Sequence, residues 1–376
     1  MADAARLRVL HVAQPIREGV AHYVAELVTG QAAQGWDVTL ATPASDELAT
    51  RCAAAGAQHV SWPAVRGVGP SVWGEVTRLS RVIRDVDPDI VHLHSSKAGL
   101  AGRLAVRGHR PTIFTPHAWS FLHGGAATKR GALAWERFAG RWTDVVMCCS
   151  IGERARGEAA GVRAEIAVIP TGIDLDRFPP ASDADRTHAR RELDLPPGPL
   201  AVCVARLAPQ KGQDLALDAW PSVRSRVPDA QLALVGDGPL RQELEARAVP
   251  GVTLFGDRAD VVRWYAAADV VVAPSRWEGL SLVVLEALAS ACCVVATDVD
   301  GMRDALGDDA GAIVDVGDAA GLADAVALRL ADPSVARMEG ARARARAERF
   351  DHATWLAAVM NLTSRVAGRA VESGTG

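Results

Sequence analysis

The chain has 376 residues, which exceeds one ordinary domain and suffices for two domains that each bury a core. Its 49% of hydrophobic and 23% of charged residues are typical of a globular protein, and a net charge of -4 gives no argument for a nucleic-acid partner. No apolar run in the sequence reaches the roughly 18 residues of a membrane span, and the N-terminus lacks the long apolar segment of a signal peptide.

The six cysteines form neither a zinc-binding pattern nor a disulfide framework. Two vicinal pairs occur, at Cys148-Cys149 and Cys292-Cys293, and the sequence contains no C-x-x-C. Most of the cysteines lie in strand-like segments, where buried free thiols are common. We therefore expect a reduced, cytoplasmic protein.

Short β-rich segments alternate with amphipathic helical segments through the first half of the chain. This alternation predicts a parallel sheet with helices on both faces. The predicted strands are RVLHVA (8–13), DVTLAT (37–42), DIVHLH (89–94), TIFTPH (112–117), DVVMCCS (144–150) and AEIAVIP (164–170).

The alternation pauses at residues 170–199, which are rich in proline and charge and predict a linker with one short helix. It then restarts with LAVCVARL (200–207), AQLALVGDG (230–238), VTLFGD (252–257), DVVVAPS (269–275), CCVVATDV (292–299) and AIVDV (312–316). The pattern predicts an α/β protein of two facing Rossmann-like domains, at 1–175 and 199–350, with a linker at 176–198 and a C-terminal helix at 351–376. Ligands of such sheets bind at the carboxyl ends of the strands, so the cleft between the domains is the expected site.

Three strand ends in the first half carry candidate residues. Gly19 opens a helix, where a glycine lets backbone N–H groups approach a phosphate, although a plain loop glycine fits equally well. Ser95, Ser96 and Lys97 begin a helix and suggest either an anion or sugar contact or a helix cap. His117 ends a strand beside aromatic residues, and we interpret it as functional rather than structural. The missing G-x-G-x-x-G and the missing acid after the second strand argue against NAD.

Arg206 and Lys211 follow the first strand of the second half, as a helix begins. Two cations beside a helix N-terminus predict a diphosphate site. The alternative is ordinary surface charge, but only three of the 41 basic residues are lysines, so a retained lysine suggests that a compact ammonium is needed.

Two further turns lie at the same predicted edge of the second sheet. Gly236 and Gly238 permit a tight turn into a helix, which is a structural role. Asp257 and Arg258 follow the next strand, and we expect them to contact or pack against a nucleotide base.

Glu278 and Glu286 lie in SRWEGLSLVVLEALAS, on a loop and in the helix after it. Eight helical residues span about 12 Å, whereas a glycosidase holds its two carboxyls roughly 5 to 9.5 Å apart, so we assign the two glutamates separate roles. A carboxylate on an apolar helix face needs hydrogen-bond donors, which ribose hydroxyls would provide for Glu286. Glu278 would face a sugar, and the backbone N–H groups of Gly279, Leu280, Ser281 and Leu282 would hold phosphate.

These motifs resemble the retaining GT-B glycosyltransferases of family 4. The second half carries VARLAPQKG, LVGDGPLR, the E-x7-E segment EGLSLVVLE, and VVATDVDG, and the first half carries EGVAHYV, IVHLHSSKAG, TPHAW and VIPTGIDLDRF in the family's order. The resemblance covers roughly residues 8 to 350, and the motifs in combination are specific.

The resemblance implies a role for each matching position. Arg206 and Lys211 would bind the donor diphosphate and act in catalysis, Glu286 would hold the ribose, and Glu278 would contact the transferred sugar near O3 and O4. Gly19 would approach the phosphates, and His117 would lie near the reacting end of the sugar. The final helix would cross back to the first domain.

Two positions depart from the family pattern. The family often has Gly-x-Pro where this chain has Ala291-Cys292-Cys293, a change that we expect to affect local packing. The family often has a second glycine where this chain has Asp300. This difference leaves the identity of the donor sugar undetermined.

The implied reaction moves a hexose-type sugar from a nucleotide diphosphate to an acceptor hydroxyl, with a UDP-sugar favoured over a GDP-sugar. Fixed cations would stabilise the charge that grows on the diphosphate. Because Arg206, Lys211 and the helix N-terminus can stabilise this charge without a metal, we expect no metal and no cofactor. Retention would follow from same-face attack, with the leaving phosphate assisting deprotonation of the acceptor, and domain closure would exclude water.

The acceptor is a glycan, a lipid-linked molecule or a small molecule. Residues 124–142 carry four cations among apolar residues, which suggests peripheral contact with the inner face of a membrane or simply a helix beside the acceptor. A nucleotide-sugar epimerase of similar architecture and a non-catalytic sugar-nucleotide-binding protein are the alternative functions.

Overall fold

The computed structural model describes residues 6–15, 18–43, 47–65 and 67–373, without the side chains of Glu18 and of residues 369–373. This part of the chain divides into two compact units. The first contains the residues up to Thr171 and from Ala353 onward, and the second is Gly172–His352. The predicted boundary at residue 175 and the predicted linker at 176–198 thus lie within the second unit.

The first unit contains a parallel sheet of seven strands among the described residues, in the order β3-β2-β1-β4-β5-β6-β7. The strands are β1 (Arg8–Ala13), β2 (Asp37–Thr42), β3 (Gln58–Ser61), β4 (Ile90–His94), β5 (Thr112–Thr115), β6 (Val145–Cys148) and β7 (Glu165–Val168). All except β3 were predicted from the sequence. β3 is a four-residue edge strand that is largely exposed, so it lacks the continuous apolar pattern of a buried parallel strand.

Helices connect these strands, as parallel pairing requires. They are α1 (Glu18–Ala33), α2 (Glu47–Ala54), α3 (Val72–Val86), α4 (Ser95–Val106), α5 (Ala126–Ala139) and α6 (Ile151–Ala159).

The second unit contains a parallel sheet of six strands, in the order β10-β9-β8-β11-β12-β13. The strands are β8 (Leu200–Val204), β9 (Gln231–Val235), β10 (Val252–Gly256), β11 (Val270–Ala273), β12 (Cys293–Thr297) and β13 (Gly311–Val314). Two parallel sheets with connecting helices confirm the α/β fold class predicted from the alternation.

The helices of the second unit include one inside the predicted linker, α7. They are α7 (Asp183–Glu192), α8 (Gln213–Arg226), α9 (Arg241–Ala246), α10 (Val261–Ala267), α11 (Leu282–Ala289), α12 (Met302–Leu306), α13 (Ala319–Ala331) and α14 (Pro333–Ala347). Phe178 and Ala189 from the predicted linker are buried in the core of this unit, so the segment is part of the domain.

The final helix, α15 (His352–Ser373), packs in the core of the first unit. Its buried side chains Trp355 and Val359 lie in one apolar cluster with Val9 of β1 and Leu27 of α1. Burial of such large apolar side chains contributes roughly 1.5 to 3 kcal/mol each, so the first core requires the end of the described chain.

Three fully buried histidines interrupt this apolar core: His11 on β1, and His92 and His94 on β4. Parallel pairing sets His11 opposite His92, and the two-residue period of a strand puts His94 on the same face. Burial lowers the pKa of His11 to about 4 and that of His92 and His94 well below the usual value. The rings are therefore neutral at neutral pH.

We predict that acid destabilises the first unit. The histidines bind protons near pH 6.5 when unfolded but only at lower pH when folded, so stability is lost as pH falls below about 6.5, by up to about 1.4 kcal/mol per histidine per pH unit. Hydrogen exchange of β1 and β4 peptides between pH 7.5 and pH 5.5 measures the effect. His92→Gln should reduce the slope, and His188→Gln, at an exposed site on α7, should leave it unchanged. A first unit equally stable at both pH values would contradict the prediction.

Candidate active site

The central strands β8 and β11 of the second sheet are neighbours whose onward connections run to opposite sides. Ligands of open parallel sheets bind beyond the carboxyl ends of such a pair. β8 ends at Val204, two residues before Arg206, and β11 ends at Ala273, shortly before Glu278. Two of the predicted donor-binding residues thus come from the expected edge of the sheet.

Lys211 and Glu278 form an ion pair at this edge. Lys211 Nζ lies 2.5 Å from Glu278 Oε1, and the Ser275 hydroxyl donates to the same oxygen at 2.8 Å. Gln210 Nε2 lies 3.4 Å from the other oxygen, Oε2. Glu278 is only 6% exposed. These charged and neutral donors fix the orientation of the buried Glu278 carboxylate, and its Oε2 keeps the greater capacity to accept further hydrogen bonds.

Gly212 allows these two loops to meet. It has a left-handed backbone (φ +66°), and a Cβ at this position would lie 2.0 Å from the carbonyl oxygen of Pro274. The loops are also joined directly, because the N–H of Arg276 donates to the carbonyl of Gln210 at 2.7 Å. The glycine that follows Lys211 is thus required for the turn that brings the ammonium to Glu278.

The N-terminus of α11 supplies backbone donors beside this ion pair. Its N-cap residue Ser281 is buried, has extended backbone angles and makes no side-chain capping hydrogen bond. The first N–H groups of a helix have no partner within the helix, and they carry partial positive charge. The segment Gly279–Leu282 therefore offers the donors and the field that bind a phosphate.

Glu286 lies one turn into α11 and is half-buried. Burial raises its pKa to about 7, although the Tyr265 hydroxyl and the charge of Arg177 both oppose the shift. Tyr265 donates to Glu286 Oε2 at 2.6 Å from a fully buried position on α10. The sequence analysis did not find Tyr265, because a contact between helices 21 residues apart leaves no local pattern.

The structure also places the other predicted residues of the second unit. Arg206 is half-buried, and the Gln213 side chain donates to its carbonyl at 2.9 Å. Arg258 and Asp257 are exposed after β10, and no hydrogen bond or ion pair within the described residues joins either one to Glu278 or Glu286. Gly236 has the left-handed backbone (φ +137°) that its structural interpretation requires.

The departure at Ala291 has a physical consequence. Ala291 follows the end of α11 with φ +57°, the left-handed conformation in which helices commonly place a glycine. An alanine there costs roughly 1 kcal/mol more than a residue without Cβ. The effect is local to the helix end, as the sequence analysis expected. Asp300 is half-buried beyond β12.

In the first unit, Lys97 has a structural role. Its ammonium lies 2.6 Å from Glu75 Oε2, and both side chains are at most 5% exposed. Its Nζ also donates to the carbonyl of Gly67 at 2.6 Å. Ser95 and Ser96 begin α4, which has no side-chain capping hydrogen bond from its N-cap His94. Gly19 is exposed in the first turn of α1, where a ligand can reach the backbone.

His117 lies after β5 with an unusual backbone. It has φ +53°, and the next residue, Ala118, has φ +95°. The fully buried carboxylate of Glu153 holds this turn, because it accepts from the N–H groups of Ala118 and Cys149 at 2.7 Å each. His117 Nε2 lies 3.4 Å from His94 Nδ1. Strained backbone held by buried hydrogen bonds is typical of a functional position.

The sequence analysis missed Glu153 and the histidine neighbours of His117. Ser150 and Glu153 match the capping pattern S-x-x-E, and Ser150 does cap α6. The Glu153 side chain points instead to the neighbouring loop. The histidine cluster had a detectable signal, since VLHVA and IVHLH place histidines on one face once the two strands are aligned as neighbours.

We predict that Glu286→Gln removes a pH dependence of the second unit. The folded pKa of about 7 exceeds the unfolded value, so the unit loses stability as pH rises from about 4.5 to 7. The loss should be on the order of 1 to 3 kcal/mol, since Glu286 is only half-buried. The free energy of unfolding of the second unit is measured at pH 5 and pH 8, from denaturation monitored by hydrogen exchange of α11 peptides. Glu243→Gln, at an exposed site on α9, is the control that should keep the slope.

Comparison with known proteins gives independent information on the family. The sequence model of "Glycosyltransferase Family 4" matches residues 17–177, and that of "Glycosyl transferases group 1" matches residues 198–332. The GDP-mannose-dependent alpha-(1-6)-phosphatidylinositol monomannoside mannosyltransferase of Mycolicibacterium smegmatis is 32% identical over 94% of this chain and 96% of its own. The GDP-mannose-dependent monoacylated alpha-(1-6)-phosphatidylinositol monomannoside mannosyltransferase of Corynebacterium glutamicum is 27% identical over 88% of this chain and 90% of its own.

Solved structures show the same fold. HepE of Anabaena, in complex with UDP and glucose, has a TM-score of 0.81 at 21% identity and covers 95% of this chain and 99% of its own. Sucrose-phosphate synthase of Thermosynechococcus elongatus has a TM-score of 0.82 at 22% identity, with 97% and 100% covered. The fold is GT-B, and the relatives do not favour an epimerase or a non-catalytic binding protein. The chain belongs to glycosyltransferase family 4 and is a glycosyltransferase that uses a nucleotide-sugar donor.

Proposed function

We propose that this protein transfers mannose from GDP-mannose to a hydroxyl of a phosphatidylinositol-mannoside-like lipid, with retention of anomeric configuration. The donor and the acceptor rest on the names of the relatives that match most of the chain. The sequence alone favoured a UDP-sugar. The structures that contain UDP are less than 25% identical to this chain and support only the fold.

The observation that carries the proposal is the ion pair of Lys211 and Glu278 beside the N-terminus of α11. A diphosphate bound there meets the ammonium of Lys211 and the backbone N–H groups of residues 279–282, together with the Arg206 guanidinium. As the bond from C1 to the phosphate oxygen breaks, charge grows on the diphosphate and these fixed groups stabilise it. This stabilisation comes from protein groups alone, and we propose that the enzyme needs no metal and no cofactor.

The two glutamates take the remaining parts of the donor. Glu278 Oε2, the oxygen with the weaker contact, accepts from hydroxyls of the sugar near O3 and O4. Glu286 accepts from the ribose hydroxyls, with Tyr265 holding its other oxygen. Arg258 contacts the base. Gly19 approaches the phosphates, and His117 faces the reacting end of the sugar.

Retention follows from attack on the face that the phosphate leaves. The acceptor oxygen forms its bond to C1 as the C1–phosphate bond breaks, and the hydroxyl proton passes to the departing phosphate oxygen. Atoms and charge then balance without a protein base, and GDP leaves with the proton.

We predict that GDP-mannose is the donor that the protein turns over. Release of nucleotide is measured with EDTA present for GDP-mannose, UDP-glucose, UDP-galactose, ADP-glucose and dTDP-glucose, with and without an extract of glycolipids. Lys211→Ala should lower kcat/KM at least about 100-fold, because a charge-assisted contact to the diphosphate is lost. Arg191→Ala, at an exposed site on α7, should have no effect.

The double variant Lys211→Met/Glu278→Gln leaves no unpaired buried charge, so it separates loss of function from loss of folding. It should be folded and equally inactive. Nucleotide binding without turnover would favour a binding protein, interconversion of nucleotide sugars without acceptor would favour an epimerase, and turnover of UDP-sugars alone would replace the donor proposed here.

The acceptor side rests on residues 124–142. Lys129, Arg130 and Phe138 are exposed on α5, and Arg141 lies 3.9 Å above the Phe138 ring. Cations beside exposed aromatic rings are typical of a helix that lies on an anionic membrane. Within the described residues no helix is long and apolar enough to cross a bilayer. We propose a peripheral contact at the inner face of the membrane for a protein of the cytoplasm.

We predict that Lys129→Glu/Arg130→Glu reduces binding to vesicles. Each cation near an anionic surface contributes about 1 kcal/mol, so the double reversal should lower the partition coefficient at least about tenfold on vesicles that contain phosphatidylinositol. The matched double reversal Arg191→Glu/Arg349→Glu, at exposed sites of the second unit, is the control. Equal binding by the two variants in cosedimentation at low salt would exclude α5 as the contact.

A further inference from the structure

A line of hydrogen-bonded side chains runs from the core of the first unit to His117. Gln31 Oε1 lies 2.7 Å from His11 Nε2, and His11 Nδ1 lies 3.0 Å from His94 Nε2. His94 Nδ1 lies 3.4 Å from His117 Nε2, and His117 Nδ1 lies 3.8 Å from Cys149 Sγ. Each ring of the line thus uses both of its nitrogens, and the last ring belongs to His117, the residue proposed to face the sugar.

Every imidazole in this line is neutral at neutral pH. Gln31, His11 and His94 are completely buried, and burial lowers the pKa of His117 to about 3. A neutral imidazole carries one N–H and one lone pair. Consecutive rings in a line must therefore donate in the same direction, and the groups at the two ends decide which direction it is.

The groups at the two ends of the line, Gln31 and Cys149, indicate the same direction of donation. At one end the carbonyl oxygen of Gln31 accepts, so His11 carries its proton on Nε2 and accepts at Nδ1. His94 then donates from Nε2 to His11. At the other end burial raises the pKa of the Cys149 thiol, so the thiol keeps its proton and can donate to His117 Nδ1. His117 is left with its proton on Nε2, directed at His94.

We infer that Gln31, His11 and His94 are positioning residues that hold the His117 ring as its Nε2–H tautomer in one orientation. The inference rests on the proposed function, in which His117 faces the sugar. Among these contacts only His94 meets His117 directly, so Gln31 and His11 act on the His117 ring through His94. The Tyr23 ring, edge-on at 4.7 Å from His117, limits rotation from another side.

A metal site is the competing interpretation, since His11, His92 and His94 bring one nitrogen each within 4.8 Å of the others. Two nitrogens bound to a tetrahedral zinc ion at about 2.05 Å are roughly 3.3 Å apart. The 3.0 Å between His11 and His94 is instead a normal hydrogen-bond distance. The rings of His92 and His94 are also stacked 4.1 Å apart rather than directed at a common point. The geometry favours the hydrogen-bonded line.

The test is the tautomer state of the full chain with ¹⁵N-labelled histidine, from long-range ¹H–¹⁵N spectra assigned with His11→Gln, His94→Gln and His117→Asn. We expect protonated Nε2 and unprotonated Nδ1 at His11, His94 and His117. Gln31→Met removes the acceptor and should mix the tautomers at His117. Gln31→Glu keeps an acceptor and should restore the Nε2–H form. Thr29→Val removes a buried hydroxyl from a different side chain of α1. It is the control, and it should leave the spectrum unchanged.

Kinetics provide the second measurement. Gln31→Met should lower kcat about tenfold with the donor KM within twofold of the parent, and Gln31→Glu should recover most of it. Nδ1–H rings, zinc uptake that shifts the three core histidines, or mixed tautomers at unchanged kcat would each overturn the inference. If Lys211→Ala loses transfer but keeps the tautomer pattern, the inference about the line of rings stands. If the parent chain itself is inactive and shows that pattern, only the proposed function is rejected.

Discussion

The ion pair between Lys211 and Glu278 joins the two loops that follow the central strands of the second sheet, and the rest of the proposed donor site depends on it. Burying a carboxylate as deeply as that of Glu278 costs free energy unless hydrogen-bond donors face it, and Lys211 and Ser275 are those donors. The contact exists only because Gly212 lets the loops approach. In turn, the fixed carboxylate orders the loop that leads into α11, whose N-terminus provides the backbone donors. Charge, backbone geometry and helix placement thus constrain one another at one edge of the sheet.

The two units bury ionisable groups of opposite kinds. The first unit holds neutral histidines in its core, and the second holds Glu286, whose pKa of about 7 places its titration in the physiological range. In both cases a neighbouring polar side chain compensates part of the desolvation, Gln31 for His11 and Tyr265 for Glu286. Such groups reduce stability relative to an apolar core, so their presence agrees with a role in binding rather than in packing.

Much of this molecule could be predicted from the sequence because parallel α/β proteins have strong local patterns. The strand–helix alternation predicted all strands except β3, whose four residues lie on an edge and lack apolar continuity. Lys211, Glu278 and Glu286 could be predicted because they follow strands or lie on an apolar helix face. Two partners could not be predicted: Tyr265 meets Glu286, and His94 meets His117, only through tertiary packing. Lys97 is a residue for which the sequence was misleading. Its position after a strand suggested a ligand contact, but in the structure its ammonium is paired with the buried carboxylate of Glu75.

The discontinuous make-up of the first unit has a consequence for biosynthesis. The second unit is one continuous segment, Gly172–His352, whereas the first needs α15 to cover Val9 and Leu27. During translation the second unit has its whole sequence before the first unit has its last helix. The face of the first core that α15 covers therefore remains exposed until the ribosome has made the whole second unit and then α15. Folding of the first unit is thus completed by a helix that is made after the second unit, and until then this apolar face needs protection from aggregation.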